Sequence, residues 1–217
     1  MKTQQFWVRV FGLFGILGGL TLFIGDMLFY YHSSNTNLIE NMGNASNNRI
    51  VASGVTALFA AWFLVLGVGQ VYHAFKPSKP IFRNIVLGCF GAIFIAYGVI
   101  HGAYIAIASS AKLAIENNLN INETVSLANE ANSILRLFVY PIFGILSVLF
   151  IILVWKRKTL YPRWMILFFP LTPFLMQSSI CNNLSGSIWI VICGGYLNLI
   201  LVLFFTASTI ALWNKKI

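Results

Sequence analysis

Acidic side chains are nearly missing from this chain. Five Asp and Glu stand against fourteen Lys and Arg in 217 residues, and charged residues of every kind make up 9%. Soluble domains carry about 25% charged residues. Cysteine is scarce as well: Cys89, Cys181 and Cys193 show no CxxC and no metal-ligand spacing, so there is no disulfide framework and no zinc ribbon. All three lie in or beside apolar runs and are expected as free thiols acting as small buried hydrophobes. No Walker, Rossmann or haem-binding pattern occurs, so no cofactor is expected. What the chain has instead is apolar surface: 59% hydrophobic residues and a mean hydropathy of +0.82. One core of this size cannot hide that much. A soluble enzyme, a disordered chain and a nucleic-acid binder are thereby excluded.

The expected fold is all-α, a single transmembrane helical bundle over 1–217. Six apolar stretches are long enough to cross ~30 Å of hydrocarbon as helices. They lie near 6–30, 51–74, 81–107, 134–155, 164–181 and 187–213. The first is too long for a signal peptide, and Asp26-Met-Leu-Phe-Tyr-Tyr stands where a small-residue cleavage site would be, so it reads as a retained helix. With six spans, Lys2, Arg9, Lys76, Lys79, Arg83, Lys156, Arg157, Lys158, Arg163, Lys215 and Lys216 share one side, and only Arg49, Lys112 and Arg136 the other. Basic residues collect on the cytoplasmic face, which puts the N- and C-termini in the cytoplasm. Trp7, Trp155, Trp164 and Trp213 then fall at the inner interface and Trp189 at the outer one. On this topology, cysteines engineered at Ser34, Asn118 and Ser185 are reachable from outside and those at Ser78 or Thr159 are not.

The connections differ. Lys76–Pro80 and Lys156–Pro162 are short, basic and proline-stopped, and join antiparallel neighbours. The polar segment 31–50 shows no helical period and reads as a mobile outer loop. Within 108–133, Lys112 and Glu116 form an i,i+4 pair, and Asn120 and Glu123 have cap spacing. An outer helical hairpin is expected there, turning near 117–120. Asn44, Asn122 and Asn183 head glycosylation-type tripeptides, a pattern of little specificity. Asn-rich loops with Lys and Ile fit an AT-rich genome, hence a multi-pass protein of a bacterial inner membrane.

An ionisable residue inside a span costs about 2.5–3.5 kcal/mol at the bilayer centre and is usually kept for a reason. Asp26 is the one acid within a span, on a stripe with Gly15, Gly19 and Leu22. Gly15-xxx-Gly19 permits close helix approach. His101 lies at similar depth in the third span, on a face with Tyr97 and Tyr104 and beside Gly98-xxx-Gly102. A carboxylate beside an imidazole favours the imidazolium, so the two are expected to approach in the outer half. Gln177 and Asn198 supply hydrogen-bonding groups at that level, and Arg136 and Tyr140 lie near. Pro170-Leu-Thr-Pro173 should bend the fifth span. The inner half is nearly featureless apart from Gln70 and His73.

Candidate ligand-binding residues are therefore Asp26, His101, Tyr104, Gln177 and Asn198, in a pocket open to the outer side that binds or moves a small solute or ion. A lone helix-glue role for Asp26, or a tyrosine-bonded core histidine, is the plain alternative. A second reading is a metal-assisted hydrolase acting on lipid, with Asp26, His32 and His101 as weak ligands. Membrane hydrolases of the alkaline-ceramidase type set several histidines, a serine and an aspartate around zinc, and the paired-histidine helix is missing here. A non-catalytic scaffold using the outer hairpin is the third. The Gly25-Asp26-x-Leu28-x-Tyr30 stretch, His101-Gly-x-Tyr104 and Gly194-Gly-x-x-Asn198 resemble features of small bacterial six-span proteins grouped as domains of unknown function. That resemblance implies a bacterial membrane protein and brings no activity with it.

Overall fold

The computed structural model describes residues 2–32 and 35–215, and among these every regular element is helical. The order is α1 (Lys2–Tyr30), α2 (Leu38–Asn44), α3 (Asn47–Ala74), α4 (Pro80–Glu116), α5 (Ile121–Trp155), a 3-10 helix (Arg163–Phe168), α6 (Leu171–Cys181), α7 (Gly186–Trp189) with a π-helical turn (Ile190–Gly194), and α8 (Tyr196–Leu212). Helices α1, α3, α4 and α5 are each long and apolar enough to cross a membrane. Two further stretches are not straight helices. Residues 164–181, expected to bend at Pro170-Leu-Thr-Pro173, are broken there: Phe169 is extended ahead of Pro170, and the chain changes from a 3-10 helix to an 11-residue α-helix. The last stretch bends by 60° between Gly194 and Tyr196.

That bend overturns the expectation for the cysteines. A straight helix would carry Cys193 well below Cys181, yet the two form a disulfide with Cα atoms 5.8 Å apart. The π-helical turn and the bend at Gly195 lay 186–194 aside, which brings Cys193 level with the end of α6. Glycine is required at the bend: a Cβ on Gly195 would run into the Phe23 ring of α1. Cys89 alone is free, half-buried on α4.

Helix α1 packs between α3 and α8. Its glycines meet two neighbours at once, since a Cβ on Gly15 would strike Phe205 of α8 and one on Gly18 would lie 2.7 Å from Leu64 of α3. On α4, Gly98 abuts Ala61 closely, whereas nothing lies near Gly102, so only half of that glycine pair serves close packing. The segment 31–50 is not structureless. Asn37 caps α2 by accepting from the Glu40 amide, and Met42 is fully buried. Asn41 donates to the carbonyls of Tyr30 and Asn35, tying α2 down over the end of α1. Helix α4 runs to Glu116; Asn118 turns the chain at φ 54°, and Asn120 caps α5 by accepting from the amides of Asn122 and Glu123.

The molecule thus has two ends. At one, Gln5 and Arg9 donate to carbonyls of Leu212 and Trp213, Ser78 donates to Lys158 O, and the Leu160 amide donates to Ala74 O. We call this the termini end. The other, the hairpin end, carries α2, the α4–α5 turn and the disulfide. Two apolar clusters fill the interior. The larger, toward the termini end, is built on Phe75, Phe90, Phe150, Phe169, Phe204 and Phe205. The smaller, under the hairpin, holds Phe29, Tyr30, Met42, Ile107 and Val125.

The half near the termini is less bare than its sequence reads. Gln70 donates to Val8 O and to the Thr209 hydroxyl, and accepts from Ser208 Oγ at 2.7 Å. Tyr161 meets that same Ser208 hydroxyl at 2.7 Å. Burial pushes the Tyr161 hydroxyl up, offset in part by Ser208, so it stays a neutral hydrogen-bonding group. Ser78 and Thr159 are both buried, which makes them poor accessibility reporters from either side, and Ser34 lies outside the described residues.

Candidate functional site

Between the two apolar clusters lies a chain of buried polar groups. Asp26, near the end of α1, has one carboxylate oxygen 3.2 Å from Nδ1 of His101 on α4. Its other oxygen accepts from Nδ2 of Asn198 on α8. On the far side of the imidazole, Nε2 lies 3.1 Å from the hydroxyl of Ser53 on α3. That hydroxyl is 2.7 Å from the Gly25 carbonyl, to which it donates. Four helices are therefore joined through one acid. Gly25 is where it is for room: a Cβ there would collide with the Thr56 hydroxyl and lie 2.9 Å from His101 Nε2.

Ser53 has one hydroxyl proton, and its bond to Gly25 O uses it, so the other face of that hydroxyl is turned to His101 Nε2 while His101 Nδ1 is turned to Asp26 Oδ1. The Ser–His–Asp order looks like that of a hydrolytic triad, but the roles differ. Ser53 is fully buried, has already given its proton to a backbone carbonyl and does not line the neighbouring cavity.

That cavity, of about 290 Å³, adjoins the other side of Asp26 and His101. Tyr104, Gln177 and Asn198 also line it, so all five candidate residues face one space. Sequence reasoning did not find Ser53, which sits on an ordinary apolar helix with no periodic mark. It named Arg136 and Tyr140 without counting them in the site; both line the cavity, as do Tyr30 and Tyr97. Arg136 is held in place. Asn132 donates to Ile100 O at 2.9 Å and accepts from Arg136 Nε at 2.9 Å, and the guanidinium lies 5.3 Å from the centre of the Tyr104 ring. His32 does not join the site: it is exposed, and its Nδ1 accepts from the Asn35 amide. Among the described residues no three His, Cys, Asp or Glu side chains converge as metal ligands.

Residues 1–215 match the model of a family of unknown function, DUF6796. The chain belongs to that family. No curated protein and no solved structure matches it.

Proposed function

We propose that this family member is a six-pass protein of a bacterial cell membrane whose polar cavity, open toward the outer half, binds or moves a small solute. The observation that carries the reading is the convergence of Asp26, His101, Tyr104, Gln177 and Asn198 on one cavity with a buried acid–imidazole pair in its wall. Burying such a pair is costly unless its other lone pairs and protons are satisfied. Asn198 and Ser53 satisfy them here, which holds the pair rigid beside an open space.

Orientation and pass number rest on separate supports. Arg9, Lys76, Lys79, Arg83, Lys156, Arg157, Lys158, Arg163 and Lys215 belong to the termini end, whereas Glu40, Glu116, Glu123 and Glu130 all belong to the hairpin end. Disulfides persist on the oxidising side of a membrane, and Cys181–Cys193 lies at the hairpin end. Both favour cytoplasmic termini. The segment 163–181 starts beside Tyr161, bonded to Ser208 near the end of α8, and finishes at Cys181, beyond the start of α8. It is a broken fifth pass, and α7 with α8 is the sixth.

Leu197 lines the cavity half-buried and suits a test. In a Cys89→Ser background, Leu197→Cys in sealed, oriented proteoliposomes is treated with a membrane-impermeant sulfonate thiol reagent. Labelling from the hairpin side alone is the expected result for an outward pocket, and labelling from either side identifies a transport path. Labelling from the termini side alone removes the proposal, as does a thiol that neither the impermeant reagent nor a small membrane-permeant maleimide reaches; reaction with the permeant reagent alone marks a cavity entered from the bilayer.

A further inference from the structure

Among the described residues, Arg136 is the one Lys or Arg side chain lining the cavity. Asp26, the acid on the same wall, is bonded through one oxygen to His101 and through the other to Asn198. Among the described residues the guanidinium makes no ion pair, and its one hydrogen bond is from Nε to Asn132. Both terminal nitrogens therefore remain to donate, presented by a side chain clamped between Asn132 and the Tyr104 ring. Such a planar fork is suited to two oxygens of a carboxylate or phosphate.

The cavity also shows where it opens. Of the residues lining it, just Tyr140 on α5 and Phe174 on α6 are exposed, at 55% and 37%. Tyr140 is one turn deeper along α5 than Arg136, and Phe174 one turn deeper along α6 than Gln177. The mouth thus faces sideways between two helices, below the level of the polar groups. Around it Leu137, Phe138, Leu175 and Met176 are all exposed and apolar. No residue of α6 is buried, so this wall stands off from the bundle. At ~30 Å³ per water, the volume takes roughly ten water-sized groups, enough for a head group and a short stem but not a long chain.

Resting on the cavity reading above, we infer that the ligand is an amphiphile with an anionic oxygen head, drawn from the bilayer between α5 and α6. Arg136 takes the head, Gln177 and Tyr140 offer further hydrogen bonds, and the acyl chain lies along the apolar mouth. Two sources share this chemistry, a fatty carboxylate and the phosphate of a membrane phospholipid.

The test uses the Leu197→Cys protein in a non-ionic detergent and follows its alkylation by a small neutral maleimide. Palmitate, phosphatidylglycerol, methyl palmitate and butyrate are added separately. The expected result is protection by palmitate or by phosphatidylglycerol, which names the source, and little by methyl palmitate or butyrate. Arg136→Gln should weaken the protecting amphiphile about tenfold to a hundredfold, with Arg136→Lys between. Equal protection by methyl palmitate would remove the anionic head from the proposal, and equal protection by butyrate would remove the acyl chain. A maleimide rate that none of the four slows would overturn the ligand class while leaving the cavity in place. A thiol that no reagent reaches would overturn the cavity reading itself.

Discussion

At the scale of single residues, Ser53 separates a structural network from a catalytic one. Its hydroxyl donates to Gly25 O and lies 3.1 Å from His101 Nε2. Interhelical hydrogen bonds in membrane proteins average ~0.6 kcal/mol, so Ser53→Ala should lower stability by about 1 kcal/mol, seen as a small drop in melting temperature in detergent. A serine-directed fluorophosphonate should leave Ser53 unmodified in intact protein. Labelling at that position would make Ser53 a nucleophile and overturn its structural role. Asp26→Asn differs in kind, because it replaces the carboxylate that faces His101 Nδ1 by a neutral amide of the same shape. Nitrogen NMR of labelled His101 should then show a clear change at Nδ1. A His101 spectrum identical to that of the parent would contradict the Asp26–His101 contact. The meeting of Asp26 and His101 was legible in the sequence because both are costly at similar depths, and cost is local. The meeting of Ser53 and His101 was not, since a serine on an apolar helix costs little wherever it faces.

At the scale of elements, legibility followed the range of the interaction. The α4–α5 turn could be read from Asn120 and Glu123, three residues apart. Helix α2 carries a similar signal in Asn37 and Glu40, masked by the polar residues around it. The disulfide could not be read, because sequence separation becomes depth only if the helix is straight. The glycine pair at 194–195 marks a weak point but not the direction of the bend. A Cβ at the bend would collide with the Phe23 ring, so Gly195→Ala should destabilise the protein by about 1–3 kcal/mol, as overpacking does. It should also slow reformation of the bridge after mild reduction, measured by the release of two thiols per chain. A Gly195→Ala protein that melts and reoxidises like the parent would show that the backbone bends for another reason.

Across the whole molecule, the four glutamates lie at one end and most of the Lys and Arg at the other, and the polar cavity lies nearer the end that carries the glutamates. Two reporters can check the orientation. Asn118 and Lys79 are both exposed, at opposite ends. In a Cys89→Ser background, Asn118→Cys should react with an impermeant maleimide added outside whole cells, and Lys79→Cys only after lysis. The opposite pattern would invert the topology and place the cavity near the cytoplasm. The sideways mouth between α5 and α6 makes the surrounding lipid part of the system, so any binding assay depends on the detergent chosen: an anionic detergent would compete for Arg136 itself.

The covalent ring closed by Cys181 and Cys193 has one more effect. Between them Asn182, Asn183, Ser185 and Ile188 are exposed. A protease that cuts anywhere in this stretch divides the polypeptide into two pieces that stay tethered. On a gel without thiol the nicked chain would run as a single band near its full size; with thiol it would separate into a large fragment and a small one containing α8. A cut made by protease outside sealed vesicles would thus be invisible until reduction, and its appearance then would report on which side of the membrane the ring is displayed.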